Sequence, residues 1–238
     1  VLRRFEYPIG SNHLYPHTPY CGYSIFYSRD GVEHQALNNG YASGLQQPTF
    51  QVIKNDNEEV VVEAHSLTTN GAVALVRRIQ FFKAGQSIRI EDRIENLSQG
   101  ILEDIVFKRF MDTAMKGNVP NLCHGDVDRQ LLYAEAGVVC GLASDDQALL
   151  RDINGWGDYH SRLIFVDDPL GPLNTDAILL YHYELKSLNI GESHQIVTSV
   201  GAADTPDDLR EAVDANLNNS WLSLSHTSGV IHSGNSLE

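Results

Sequence analysis

Between residues 72 and 112 the chain reads AVALVRRIQFFKAGQSIRIEDRIENLSQGILEDIVFKRFMD, and through most of it an apolar residue returns at every second position. Successive side chains of an extended chain point to opposite faces. This period therefore places Val73, Leu75, Arg77, Ile79 and Phe81 on one side and Ala74, Val76, Arg78, Gln80 and Phe82 on the other. Lys83-Ala84-Gly85-Gln86 supplies a short turn. Ile88, Ile90, Asp92 and Ile94 then oppose Arg89, Glu91, Arg93 and Glu95, a charged face that must meet solvent or pair across strands. Residues 96–100 form a second turn rich in Asn, Ser and Gly, and Leu102, Ile105, Phe107 and Phe110 mark a third strand. Three adjacent antiparallel strands make a meander. Its apolar face requires a covering layer, which favours a sandwich over a single sheet.

The flanking sequence carries the same signals. Residues 2–7 read as a strand, and residues 22–28 and 32–37 as a hairpin around Arg29-Asp30-Gly31, whose Asp-Gly pair suits a tight two-residue turn. Residues 49–54 and 59–67 form another hairpin, with Val60, Val61 and Val62 supplying strand propensity. Residues 113–129 and 151–160 read as irregular excursions. Between them, residues 131–135 and 138–142 form a short hairpin. Strands are expected over 163–166, 177–185 and 192–200, with Asp167-Asp168-Pro169 and Gly171-Pro172 breaking regular structure before the second of these. A single helix is expected over about 205–217. Thr205-Pro206-Asp207-Asp208 combines a capping hydroxyl, Pro at the first helical position and acidic residues at the positive end of the dipole, and Leu209, Ala212, Val213 and Leu217 follow at helical spacing. The expected architecture is all-β: a large antiparallel β-sandwich or supersandwich with one C-terminal α-helix, a single domain over 1–221 and a polar tail over 222–238. An opening Val1 in place of Met leads us to expect a piece excised from a longer protein.

Composition limits the partners. A formal net charge of −14 with scattered Lys and Arg argues against nucleic acid, because phosphate binding needs concentrated positive charge. No apolar run approaches the roughly 20 residues needed to span a bilayer, so no membrane insertion is expected. Cys21, Cys123 and Cys140 are widely spaced and odd in number, without a C-x-x-C pair, which allows at most one bridge and reads best as buried thiols.

The Ile94-Glu95-Asn96-Leu97-Ser98 strand end, the Phe107-Lys108-Arg109-Phe110-Met111-Asp112 strand and Leu188-Asn189-Ile190-Gly191-Glu192-Ser193 precede a last strand, Gly201-Ala202 and a helix. This order resembles β-sandwich modules of secreted bacterial and archaeal proteins and, more broadly, the galactose-mutarotase-like supersandwich of carbohydrate-processing proteins. The resemblance covers roughly residues 2–217. It implies a carbohydrate-related role, favours a secreted or cell-surface setting, and in the enzymes of that fold brings a His and a carboxylate to a sugar ring as acid and base. His65, His182 and Glu184 lie on strand candidates and are the residues expected to turn inward for such a role.

Other residues suggest binding. His13, Tyr15, His17 and Tyr20 cluster in a Pro-rich opening loop, and Trp156 and Tyr159 sit in an irregular excursion. Tyr15, His17, Tyr20, Trp156 and Tyr159 are candidates to contact a ligand, the aromatic rings by stacking on sugar faces. Asp152, Asn154 and Asp158 bring side-chain oxygens together around Gly155 and Gly157, a pattern suited to Ca²⁺, with Asp126 and Asp128 able to complete the shell if the two excursions meet. His13 and His17 have H-x-x-x-H spacing, but Pro16 between them removes the helix that zinc ligation at that spacing needs.

Three functions remain open. The leading expectation is a non-catalytic binding or accessory module for carbohydrate or a cell-surface ligand. The second is a mutarotase-like epimerase or lyase. The third is a structural or assembly domain forming a homo-oligomer, marked by a large apolar patch. A deep polar cleft, a shallow aromatic strip or neither would separate them.

Overall fold

The computed structural model describes residues 22–38, 44–82, 85–112, 121–126, 130–145, 150–152, 161–162, 172–175 and 178–218. The three strands expected over 72–112 form as β5 (Val73–Phe82), β6 (Ser87–Asn96) and β7 (Leu102–Asp112), but the expectation that they lie side by side as a meander is corrected, because β7 does not pair with β6. Before them come β1 (Gly22–Arg29), β2 (Val32–Asn38), β3 (Thr49–Asn55) and β4 (Glu59–Leu67). After them come β8 (Asn121–Asp126), β9 (Leu131–Glu135), β10 (Val139–Ser144), β11 (Leu150–Asp152), β12 (Leu173–Thr175), β13 (Ile178–Leu188), β14 (Ser193–Ala203) and the helix α1 (Pro206–Asn218). The β1–β2 turn has Asp30 at φ 54° and Gly31 at φ 74°, the pair of left-handed conformations that a tight hairpin twisted like its strands requires.

Two antiparallel sheets face each other. One runs β11-β13-β7-β1-β2 and the other β12-β8-β9-β10-β14-β6-β5-β4-β3. The meander is thus divided. β5 and β6 stay together, while β7 crosses to the opposite sheet to pair with β1 and β13. The main core lies between the layers, with Tyr23, Ile25, Phe107, Tyr181 and Tyr183 from one sheet against Leu75, Ile90, Ile94, Leu142 and Val200 from the other. Tyr hydroxyls from β13 tie the layers: Tyr181 donates to the Leu142 carbonyl at 2.9 Å and Tyr183 to Ser144 Oγ at 2.7 Å. At one end, buried Asn96 clasps two turns, the one that follows it and the one between β13 and β14. Its Nδ2 donates to the carbonyls of Gly100 at 2.8 Å and Leu188 at 2.9 Å, its Oδ1 accepts from the Ser98 amide at 2.8 Å, and its backbone carbonyl accepts from the Gly191 amide at 2.9 Å.

α1 lies on the outer face of the larger sheet, where Leu209, Val213 and Leu217 pack on Leu131, Tyr133, Val139, Ala143, Val197 and Ala203. Thr205 Oγ1 caps its start by accepting from the Asp208 amide at 3.2 Å. Its far end is held by the sheet, since Arg89 Nη1 donates to the Asn216 carbonyl at 2.7 Å. Gly141 and Gly201 face each other across β10 and β14 beneath Leu209, and a Cβ on either would approach that side chain to 3.0 and 2.9 Å.

Two segments correct the sequence reading. β8 and β12 are strands where irregular chain was expected. Asn121, Gly125 and Asp126 are poor strand formers, but β8 is paired on both sides, by β9 and β12, and buries Cys123. Tertiary pairing outweighs local propensity there. Cys123 and Cys140 are fully buried, while Cys21, the expected strands over 2–7 and 163–166, and the tail fall outside the described residues.

Candidate functional site

The larger sheet extends past the smaller one at β5, β4 and β3, and a cleft of about 480 Å³ opens between the layers there. Alternation along β5 and β6 makes its wall apolar: Leu75, Ile79, Phe81, Ile88 and Ile90 share the inner face, and Phe50 stands exposed on β3. The same alternation brings two charges inward. Arg77 and Asp92 are cross-strand partners, and Arg77 Nε donates to Asp92 Oδ1 at 2.7 Å. Arg109 reaches Asp92 Oδ2 from β7, on the facing sheet. The three side chains form a buried triad joining the layers, with Asp92 fully buried, Arg109 4 % exposed and Arg77 8 % exposed.

Two cations against one carboxylate leave the triad with a net charge of +1. Burial and then the neighbouring Arg77 lower Arg109 to about 10, so it remains charged at neutral pH. Arg77 lies over the Tyr23 ring, 4.0 Å from its centroid, and Arg109 Nη1 makes a long 3.5 Å contact with the Gly22 carbonyl. Arg77 Nη2 and Arg109 Nε have no hydrogen-bond acceptor among the described residues. Both guanidinium side chains line the cleft. The cavity is neither a polar sugar groove nor a flat aromatic strip. It is an apolar slot with cationic donors at its base.

The candidate acid–base residues are not turned toward this slot. On β13, Tyr181 and Tyr183 belong to the inner core, which puts His182 and Glu184 on the outer face beside Leu180. His182 is buried, with Nε2 3.7 Å from Glu184, and burial together with Lys108 lowers its pKa to about 4. His65 pairs in register with Val76 on the outer face of the other sheet, is largely exposed, and its Nε2 meets Glu63 at 2.7 Å. The expectation that all three turn inward is therefore corrected: alternation gives the inward positions to Tyr181 and Tyr183 on β13, which fill the core, and to Ala64 and Ser66 on β4, which line the cleft. His65 and His182 lie on opposite outer faces of the sandwich.

Among the residues expected to bind ligand or metal, Asp152 ends β11, where only its backbone is described, and Asn154, Asp158, Tyr15, His17, Tyr20, Trp156 and Tyr159 lie outside the described residues. Asp126, proposed as a further Ca²⁺ ligand, meets Arg210 of α1 at 3.0 Å. Among the described residues no three His, Cys, Asp or Glu side chains gather closely enough to hold a metal ion, and no helix is long and apolar enough to cross a membrane.

The sequence carried a signal for the triad. Arg77 and Asp92 stand at positions that are otherwise apolar in their strands, and opposite charges on the core face of adjacent strands demand each other. Arg109 had no such signal. Its role depends on β7 crossing to the other sheet, which the local pattern does not reveal.

No protein-family model matches the chain, and no curated protein matches it in sequence. Among solved structures, a bacterial glucoamylase complexed with acarbose is similar at 11% identity and a TM-score of 0.62, over 90% of this chain and 32% of that one. A polysaccharide lyase aligns at 13% identity and a TM-score of 0.45, over 81% of this chain and 27% of that one. A putative aldose 1-epimerase from Escherichia coli K12 aligns at 9% identity and a TM-score of 0.42, over 74% and 78%. At such identities the likeness is one of fold. The protein is an all-β sandwich with one C-terminal helix, and it spans about a third of the length of the glucoamylase.

Proposed function

We propose that this chain is a non-catalytic binding or accessory sandwich module of a carbohydrate-related protein. The observation that carries the non-catalytic half is the disposition of the acid–base candidates. His65 and His182 occupy opposite outer faces, so they cannot flank one sugar ring, and His182 is a weak base held neutral by burial. The carbohydrate half is supported by fold analogy with a segment amounting to about a third of a glucoamylase. In this reading the aromatic side chains of Tyr15, Tyr20, Trp156 and Tyr159, with His17, supply the contact surface for sugar.

The test pairs binding with turnover. Isothermal titration with a panel of mono- and oligosaccharides, acarbose included, is expected to find a ligand whose affinity falls by about tenfold in Trp156→Ala and Tyr159→Ala. Polarimetry of freshly dissolved α-anomers is expected to show mutarotation at the buffer rate. An accelerated approach to anomeric equilibrium would replace this reading with the epimerase. Absence of sugar binding together with a concentration-dependent dimer in sedimentation would replace it with the assembly domain.

A further inference from the structure

The inter-sheet cleft has a chemistry of its own that the carbohydrate reading does not use. Leu75, Ile79, Phe81, Ile88 and Ile90 offer a sugar no side-chain hydrogen-bond partner, Asn38, Gln46 and Ser66 being the polar residues of the described lining apart from the arginines, and burying hydroxyls against the apolar wall unpaired is unfavourable. At the base the requirement is reversed. Arg77 Nη2 and Arg109 Nε are buried donors with no acceptor among the described residues, and the triad to which they belong carries one positive charge in excess of its carboxylate. No acidic residue is found among the described residues lining the cleft. A buried donor left unmet costs free energy that an anionic acceptor would recover, most effectively in a water-poor slot.

We propose that the cleft binds an amphipathic organic monocarboxylate, whose carboxylate is received by Arg77 and Arg109 and whose apolar body lies along the aliphatic wall toward Phe50. A single negative charge matches the single excess positive charge of the triad. A volume of about 480 Å³ suits a small organic ligand. A phosphate monoester or polyanionic ligand would overcompensate the triad, and a neutral lipid would leave its net charge unmatched. The proposal goes beyond the carbohydrate reading and does not depend on it.

The test uses sodium octanoate and 4-phenylbutyrate below their aggregation concentrations, with 1-octanol and glucuronate as controls, in calorimetric titration and thermal unfolding of the whole chain. Octanoate or phenylbutyrate is expected to raise the unfolding midpoint and to bind on the order of tenfold more tightly than octanol. Glucuronate, which has the carboxylate without the apolar body, is expected to produce no shift. Because removing a member of the triad threatens folding, the decisive variant is Ala64→Phe. It adds a ring on β4, at the position paired with Arg77, without altering any charge. Its circular dichroism is expected to match the parent while carboxylate affinity falls by about tenfold or more. Failure of both carboxylates to bind, octanol or glucuronate binding as tightly as octanoate, or undiminished affinity in a folded Ala64→Phe would each overturn the proposal.

Discussion

Replacing Asp92 by Ala tests whether the triad is as buried as the structure has it. Asp92 is fully buried and accepts from Arg77 on its own sheet and Arg109 on the facing one. Its loss leaves two guanidinium groups, 8 % and 4 % exposed, without their counter-ion and repelling each other across the inter-sheet space. Breaking a buried ion pair in this way costs about 3–5 kcal/mol, mostly from the uncompensated charge left behind. In a protein of this size each kcal/mol shifts the melting point by about 2–4 °C, so a fall of roughly 10 °C is expected. Urea unfolding followed by tryptophan fluorescence would supply the free energy, with an unchanged slope showing that only stability has altered. The triple variant Arg77→Met/Asp92→Leu/Arg109→Met is expected to recover most of the loss, since an apolar replacement restores packing without burying charge. A loss below about 1 kcal/mol for Asp92→Ala would refute the reasoning, because exposed pairs are worth that little and the triad would then have to be hydrated.

The remaining predictions concern pH, the seat of the helix and the loop carboxylates. His182 titrates near 4 in the fold against an ordinary value of 6.5, so the unfolded chain binds the proton first and stability is lost as pH falls from about 6.5 toward 4. The loss approaches about 3 kcal/mol, and His182→Gln should flatten the stability–pH curve in that window; an unaltered slope would show that His182 is not its source. Gly141→Ala is expected to destabilise more than Gly201→Ala in thermal melts. The new Cβ at 141 meets the Leu132 carbonyl, a backbone atom fixed by the ladder, at 2.7 Å, whereas that at 201 meets the side-chain methyls of Leu209 and Val213 at 2.9 and 3.0 Å. Ca²⁺ is proposed to bind through Asp152, Asn154 and Asp158, so added Ca²⁺ should raise the melting point and EDTA reverse it, with the rise lost in Asp152→Ala and Asp158→Ala. An unchanged midpoint with Ca²⁺ would remove that site.

Local chemistry alone determined a good part of this protein. Period-2 alternation made β5 and β6 strands, three successive valines did so for β4, Asp30-Gly31 made a hairpin turn, and Thr205-Pro206 started the helix, because each rests on steric or hydrogen-bonding preferences that span a few residues. The phrases around Asn96 and Gly191 owe their form to a structural cause as well: they meet in one hydrogen-bonded clasp that joins turns far apart in the chain. The alternation also turned Arg77 and Asp92 toward the core. Tertiary structure decided the rest. β8 and β12 are strands only because partners complete their ladders, and His182 faces outward because Tyr181 and Tyr183 claim the core side of β13, while the register of β4 on β5 turns Ala64 and Ser66 inward and His65 outward. The cleft exists because, among the described strands, the larger sheet overhangs the smaller at β5, β4 and β3, and its base is complete only when β7 crosses between sheets and delivers Arg109 to Asp92. Such juxtapositions depend on which sheet a strand joins, a choice made by packing energy summed over the whole core and written in no short stretch of residues.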